Sequence, residues 1–206
     1  MSAVWFVSGW AGFPELFPRL ARSSTFLVPF VDGDEAALSA RLADAGGDVL
    51  LGWSTGAHLL LKSGSWLFPR FSLVLLAAPF LRFSDSLPGR VLDAMRAGLE
   101  LDAESTLSDF YRTCDAPPPA FRVESTARLA EGLEYLGRSV APGTTLPAGN
   151  VLVVHGSADR VVRARAVRQV MDALEGARYV SMPCGHFIAE EHLARLAHET
   201  ENWRLF

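Results

Sequence analysis

The stretch Asp48–His58, "DVLLGWSTGAH", decides how this chain is read. Strand-like residues run into Gly52-Trp53-Ser54-Thr55-Gly56, and a helical pattern follows in "TGAHLLLKSGSW". The pattern is G-x-S-x-G between a strand and a helix. A serine placed there occupies a sharp, strained turn, and small residues two places to either side keep strand and helix from colliding. The turn lifts the hydroxyl above the sheet. The helix start points amide groups at any charge that develops beside it. Ser54 is therefore the candidate nucleophile.

A serine hydroxyl at neutral pH needs a base. The chain has 5 histidines. His58 lies one helical turn past Ser54 and is expected to pack on the following helix. His155 ends a strand and reads as structural. His192 and His198 suit one face of the terminal helix. His186 lies in "PCGHF", after the last predicted strand and before the last predicted helix, where a base reaches the elbow. The orienting acid should close the preceding strand, and "VVHGSADRVV" offers Asp159 alone. Asp159 also fits the N-cap of a helix from Val161 onward. Oxyanion donors are expected from the amides of Thr55, which follows the nucleophile, and Trp10, in the loop "VSGWAGF". Gly9 and Gly12 let that backbone approach a substrate.

Working outward, short apolar runs recur at Ala3–Ser8, Thr25–Phe30, Asp48–Trp53, Ser72–Ala77, Asn150–His155 and Ala177–Met182. Most are apolar throughout, the mark of strands covered on both faces. Amphipathic helices are predicted at Asp34–Ala45, Val161–Leu174 and Glu190–Glu201. Alternating strands and helices imply an α/β fold with right-handed crossovers. From Leu81 to Pro147 the alternation stops. Helical pieces at Gly89–Leu101, Ala103–Cys114 and Ser125–Val140 surround the breaker "APPPA". An all-helical insertion between parallel strands is expected over their carboxyl ends, where sites form. The domain reading is a core of residues 1–80 and 148–206 with a helical cap of residues 81–147.

Half of the 206 residues are apolar, which supports one well-packed domain. The net charge of −4 argues against nucleic-acid binding by phosphate neutralisation. Two cysteines, Cys114 and Cys184, are too few for a disulfide scaffold. No apolar run has the length of a membrane span, and "MSAVWFVSGW" lacks the basic start and cleavage site of a signal peptide. A cytoplasmic protein without a membrane partner is expected. No metal-ligand cluster such as H-x-x-E-H is present, and the chemistry needs no cofactor.

The order Ser54, Asp159, His186 is that of α/β-hydrolases. The expected fold is accordingly an α/β-hydrolase, a mostly parallel six-stranded sheet flanked by helices. Within that class the chain resembles the pimeloyl-[acyl-carrier protein] methyl ester esterases of biotin synthesis, the BioH type. That family's elbow usually reads G-W-S-x-G, matched by "GWSTG". Its cap carries G-L-x-x-L, matched by Gly132-Leu133-Glu134-Tyr135-Leu136. The loops "HGSADRVV" and "CGHF" also fit. Ser8-Gly9-Trp10-Ala11 stands where the family usually has H-G-W-G. The chain is shorter than typical members and reads straight into its first core strand, without their N-terminal hairpin.

The resemblance implies a serine carboxylesterase acting on an acyl ester carried by an acidic acyl-carrier protein. The cap would dock that carrier through arginines, with Arg122 and Arg128 the candidate pair. A second basic cluster is Arg160, Arg163, Arg165 and Arg168. Trp10, Trp53, Phe110, Tyr111, Phe121 and Leu133 are candidates to line an apolar acyl channel. The rivals are a general short-chain esterase, a thioesterase or a carbon–carbon bond hydrolase of the same fold, and a binding protein without catalysis.

Overall fold

The computed structural model describes residues 3–118 and 125–201. Among them, β1 (Val4–Val7), β2 (Thr25–Leu27), β3 (Gly47–Trp53), β4 (Phe71–Ala77), β6 (Val151–Gly156) and β8 (Arg178–Met182) form one sheet. Its order is β2-β1-β3-β4-β6-β8, and every pairing is parallel. The expected α/β-hydrolase sheet is thus present. Two-residue strands β5 (Leu146–Pro147) and β7 (Leu174–Glu175) form a small separate pair that the sequence pattern did not indicate.

The helices are α1 (Pro18–Ser23), α2 (Glu35–Leu42), α3 (Thr55–Lys62), α4 (Gly64–Leu67), α5 (Gly89–Leu101), α6 (Ala103–Cys114), α7 (Thr126–Arg138), α8 (Ala164–Ala173) and α9 (Glu190–Glu201). Asp34 caps α2 by accepting the amide of Ala37, so the predicted start at Asp34 is the cap itself. The strand β2 stops before Pro29. The Asp32 carboxylate takes the amide of Val28, and Phe30 turns the chain with a φ of 69°.

All of β6 is buried, as is β4 except Ser72. Side chains from both faces of these strands are removed from water, each large one contributing roughly 1.5–3 kcal/mol. This explains why the strands read as unbroken apolar runs. The chain adds β2 on one side of β1 and β3 on the other, so the loops leaving β1 and β3 diverge into a crevice. Helices α5, α6 and α7 fall between β4 and β6 in the chain. At the far end, Glu190 is buried and accepts the amides of Arg19 and Leu20, both at 3.0 Å, tying α9 to the start of α1. No helix among the described residues is long and apolar enough to cross a membrane.

Candidate functional site

Ser54 stands between β3 and α3 with φ 55° and ψ −116°, a conformation that costs about 1–3 kcal/mol for a residue with a side chain. Neighbouring backbone holds it there. Its amide donates to Ala77 O (2.8 Å), and its carbonyl accepts from the His58 amide (3.0 Å). Gly56 makes the close approach possible. A Cβ there would lie 2.0 Å from Val7 O and 2.4 Å from Ser8 O, so α3 starts directly against the end of β1.

The structure brings Ser54, His186 and Asp159 together. His186 Nε2 lies 2.9 Å from Ser54 Oγ, and His186 Nδ1 lies 2.8 Å from Asp159 Oδ2. The His186 and Asp159 side chains are fully buried. Asp159 Oδ1 accepts the amides of Val161 and Val162, each at 2.8 Å. Those bonds close a turn rather than a helix start. Helix α8 begins only at Ala164, so the expected N-cap role of Asp159 is corrected. A carboxylate that captures two successive amides holds them in a tight turn, which delays the helix.

His155 is a second histidine on the same carboxylate. Its Nε2 donates to Val162 O (2.8 Å) and lies 3.5 Å from Asp159 Oδ2. Burial works against the charge on Asp159. The charge of His186, hydrogen bonds from both histidines and the Val162 amide outweigh it, holding the carboxyl well below its usual range. For His155, burial opposes the proton, but bonds to Asp159 and to the Val162 carbonyl raise its pKa overall. The spacing of His155 and Asp159 in "HGSAD" was visible in sequence; their contact was not.

Trp10 and Thr55 line the same cavity as Ser54. Neither amide has a hydrogen-bond partner among the described residues. The cavity measures about 560 Å³ and is mostly apolar. Phe110 and Leu133 line it as expected, joined by Phe83, Leu87, Met95 and Leu136, which sequence reasoning missed. The recurrence of Leu87, Val91 and Met95 at helical spacing was the available signal.

Two aromatic expectations are corrected. Trp53 does not line the cavity. It is 1 % exposed, its Nε1 donates to His186 O (3.0 Å), and its ring packs on Phe17 and Phe187. As the last residue of β3 it points away from the side that Ser54 addresses, because successive strand side chains alternate. Tyr111 turns from the cavity too. Its hydroxyl donates to Ala11 O (2.9 Å), while its neighbour Phe110, one residue around the helix, meets the Trp10 ring edge-on at 4.8 Å. Arg128 is exposed and pairs with Glu131 at 3.0 Å. Phe121 and Arg122 lie outside the described residues.

His58 does not pack on the following helix. It stacks on Phe80, donates Nδ1–H to Phe80 O (3.1 Å), and accepts at Nε2 from Ser139 Oγ (2.8 Å). Position i+4 from Ser54 faces the exit of β4, where the chain returning after α7 meets it. Burial foremost, with the Lys62 charge, pushes its pKa down to about 4, against the Phe80 bond and Glu35. The unfolded chain takes up this proton near pH 6.5. Stability is therefore full above that pH and is lost as pH falls toward the folded value. The unfolding free energy in urea is expected to drop by about 2 kcal/mol from pH 7 to pH 5 through this group. His58→Gln should flatten that slope, and an unchanged slope would place the proton elsewhere.

The alpha/beta hydrolase family model matches residues 6–199, and the chain belongs to that family. Among solved structures it resembles an esterase from Exiguobacterium antarcticum, at 15 % identity and a TM-score of 0.68, over 97 % of this chain and 91 % of that one. The enol-lactonase from Burkholderia xenovorans matches at 16 % identity and TM-score 0.63, over 96 % and 89 %. The type II thioesterase of the borrelidin biosynthetic cluster matches at 14 % and 0.59, over 96 % and 90 %. These likenesses concern the fold. No curated protein matches the chain by sequence. Among the described residues no cluster of His, Cys, Asp or Glu could hold a metal ion.

Proposed function

We propose that this chain is a serine hydrolase of carboxylic esters, and that its substrate is a pimeloyl-type methyl ester borne by an acyl-carrier protein. One observation carries the esterase reading: Ser54 Oγ, 2.9 Å from His186 Nε2, opens into an apolar cavity of about 560 Å³. Ser54 attacks the ester carbonyl carbon while His186 takes the hydroxyl proton. Asp159 keeps the other imidazole nitrogen protonated and stabilises the imidazolium. The carbonyl oxygen becomes an oxyanion, which the amides of Trp10 and Thr55 receive, each worth roughly 3 kcal/mol. The intermediate collapses, and methanol leaves with the proton from His186. Water, deprotonated by His186, then attacks the acyl-enzyme. The acid departs and Ser54 regains its proton.

The finer reading rests on "GWSTG" and on what the G-L-x-x-L segment does. A Cβ on Gly132 would lie 2.8 Å from Trp10 Cδ1, so glycine lets α7 sit against the Trp10 indole. That contact aims Leu133 and Leu136 into the cavity. For the carrier, the arginines beside the cavity suit better than Arg128, whose charge Glu131 already meets. Arg90 lines the cavity, and Arg165 Nη2 donates to Asp85 O (3.1 Å), close in sequence to Arg90.

The test is methanol release from pimeloyl methyl ester on acyl-carrier protein, compared with the free ester. A kcat/KM at least about tenfold higher for the carrier-bound form is expected, since remote binding energy is used in the transition state. Cleavage of free small esters alone would leave a general esterase, and release of the carrier thiol instead of methanol would make it a thioesterase. Failure of a fluorophosphonate to label Ser54 would point to a binding protein.

A further inference from the structure

The oxyanion loop has a support that no sequence motif records. Ala11 follows Trp10 and adopts a left-handed φ of 53°, which is strained for alanine and places the Trp10–Ala11 peptide at an unusual angle. Gly12 N donates to Gly9 O, and Phe13 N donates to Ala11 O, both at 3.0 Å. A long-range restraint comes from α6. The Tyr111 hydroxyl donates to Ala11 O at 2.9 Å, and both residues are buried, at 3 % and 0 % exposure. Burial raises the phenol pKa, so Tyr111 remains a donor across the working pH range. The Trp10 side chain is tied to the same set of helices, because its Nε1 donates to Leu129 O (2.8 Å).

We propose that Tyr111 is a positioning residue for ester hydrolysis: its hydroxyl, through the Ala11 carbonyl, holds the Trp10 amide where the oxyanion forms. This rests on the esterase reading above. Tyr111 meets no substrate, and its effect passes from the Ala11 carbonyl back along the Trp10–Ala11 backbone to the Gly9–Trp10 peptide, which carries the donor. The helix that presents Phe110, Thr106 and Thr113 to the cavity thereby also sets one half of the oxyanion site.

Tyr111→Phe keeps the ring and removes only the hydroxyl. With a p-nitrophenyl acyl ester, kcat per fluorophosphonate-titrated site should fall about tenfold with KM within twofold, because one misaligned donor weakens transition-state binding alone. Affinity for an alkyl boronic acid, which mimics the tetrahedral state, should fall by the same factor as kcat/KM. Independently of turnover, amide hydrogen exchange at Gly12 and Phe13 should quicken about tenfold, while Leu59–Leu61 exchange as before. Unchanged exchange and unchanged kcat per titrated site would overturn the proposal. A loss explained wholly by fewer titratable sites, with boronate affinity retained, would also overturn it. If the wild-type protein neither hydrolyses the ester nor takes the label, the esterase reading fails. The exchange measurement then still decides whether Tyr111 holds the loop.

Discussion

Replacing Ser54 with alanine is expected to lower kcat for ester hydrolysis by roughly 10⁴–10⁶-fold with the fold intact. Alanine removes the nucleophilic oxygen and nothing else of size. The strained backbone at position 54 is imposed by the Ala77 and His58 bonds, which use backbone atoms only, so they survive the substitution. The one lost interaction is the 2.9 Å contact with His186, worth about 1 kcal/mol. Thermal unfolding should therefore move by only a few degrees. Ser54→Gly provides a contrast. It is equally inactive, but glycine tolerates a φ of 55° without a Cβ clash, so it should be more stable than the alanine variant by about 1 kcal/mol. Retained turnover in the alanine variant, measured after excluding wild-type contamination, would remove Ser54 from the chemistry.

Asp159→Asn should cost about 10⁴-fold in kcat while KM stays close to wild type. The argument follows from which oxygen does what. Oδ1 holds the Val161 and Val162 amides, and the asparagine carbonyl can replace it there. The amide nitrogen must then stand where Oδ2 was, facing His186 Nδ1 at 2.8 Å. It donates, so Nδ1 must accept, and the imidazole proton shifts to Nε2. A protonated Nε2 cannot take the proton from Ser54. The same nitrogen also faces His155 Nε2, which already donates to Val162 O, so two donors are opposed. A stability loss should accompany the loss of rate, and a urea titration reads it. Near-normal kcat in this variant would mean that the orienting acid lies elsewhere.

Much of this was legible in the chain because it depends on short-range rules. Strands covered on both faces must be apolar throughout, and such runs marked the inner strands of the main sheet, whereas the edge strand β8 (Arg178–Met182) is mixed in sequence and mostly exposed. A serine on a strand-to-helix turn needs small flanking residues, and Gly52 and Gly56 supply that pattern. Ser54, Asp159 and His186 were each placed by the element that precedes them, and parallel strands bring such ends to one edge of a sheet.

Other features were set only by the tertiary structure. Phe110 and Tyr111 are adjacent and both aromatic, yet one faces the cavity and the other donates to the Ala11 carbonyl 100 residues away. Neighbours on a helix point about 100° apart, and sequence does not state how the helix is rolled against its support. Trp53 likewise fitted a channel wall by composition, and its position at the end of β3 turned it toward the base loop. His155 reaches Asp159 because "GSADRV" folds back on itself, a path dictated by two amides seeking one carboxylate oxygen. Local sequence specifies which way a segment prefers to bend. Which side chains then meet depends on the packing of segments distant in the chain, where one rotation exchanges a cavity wall for a buried strut.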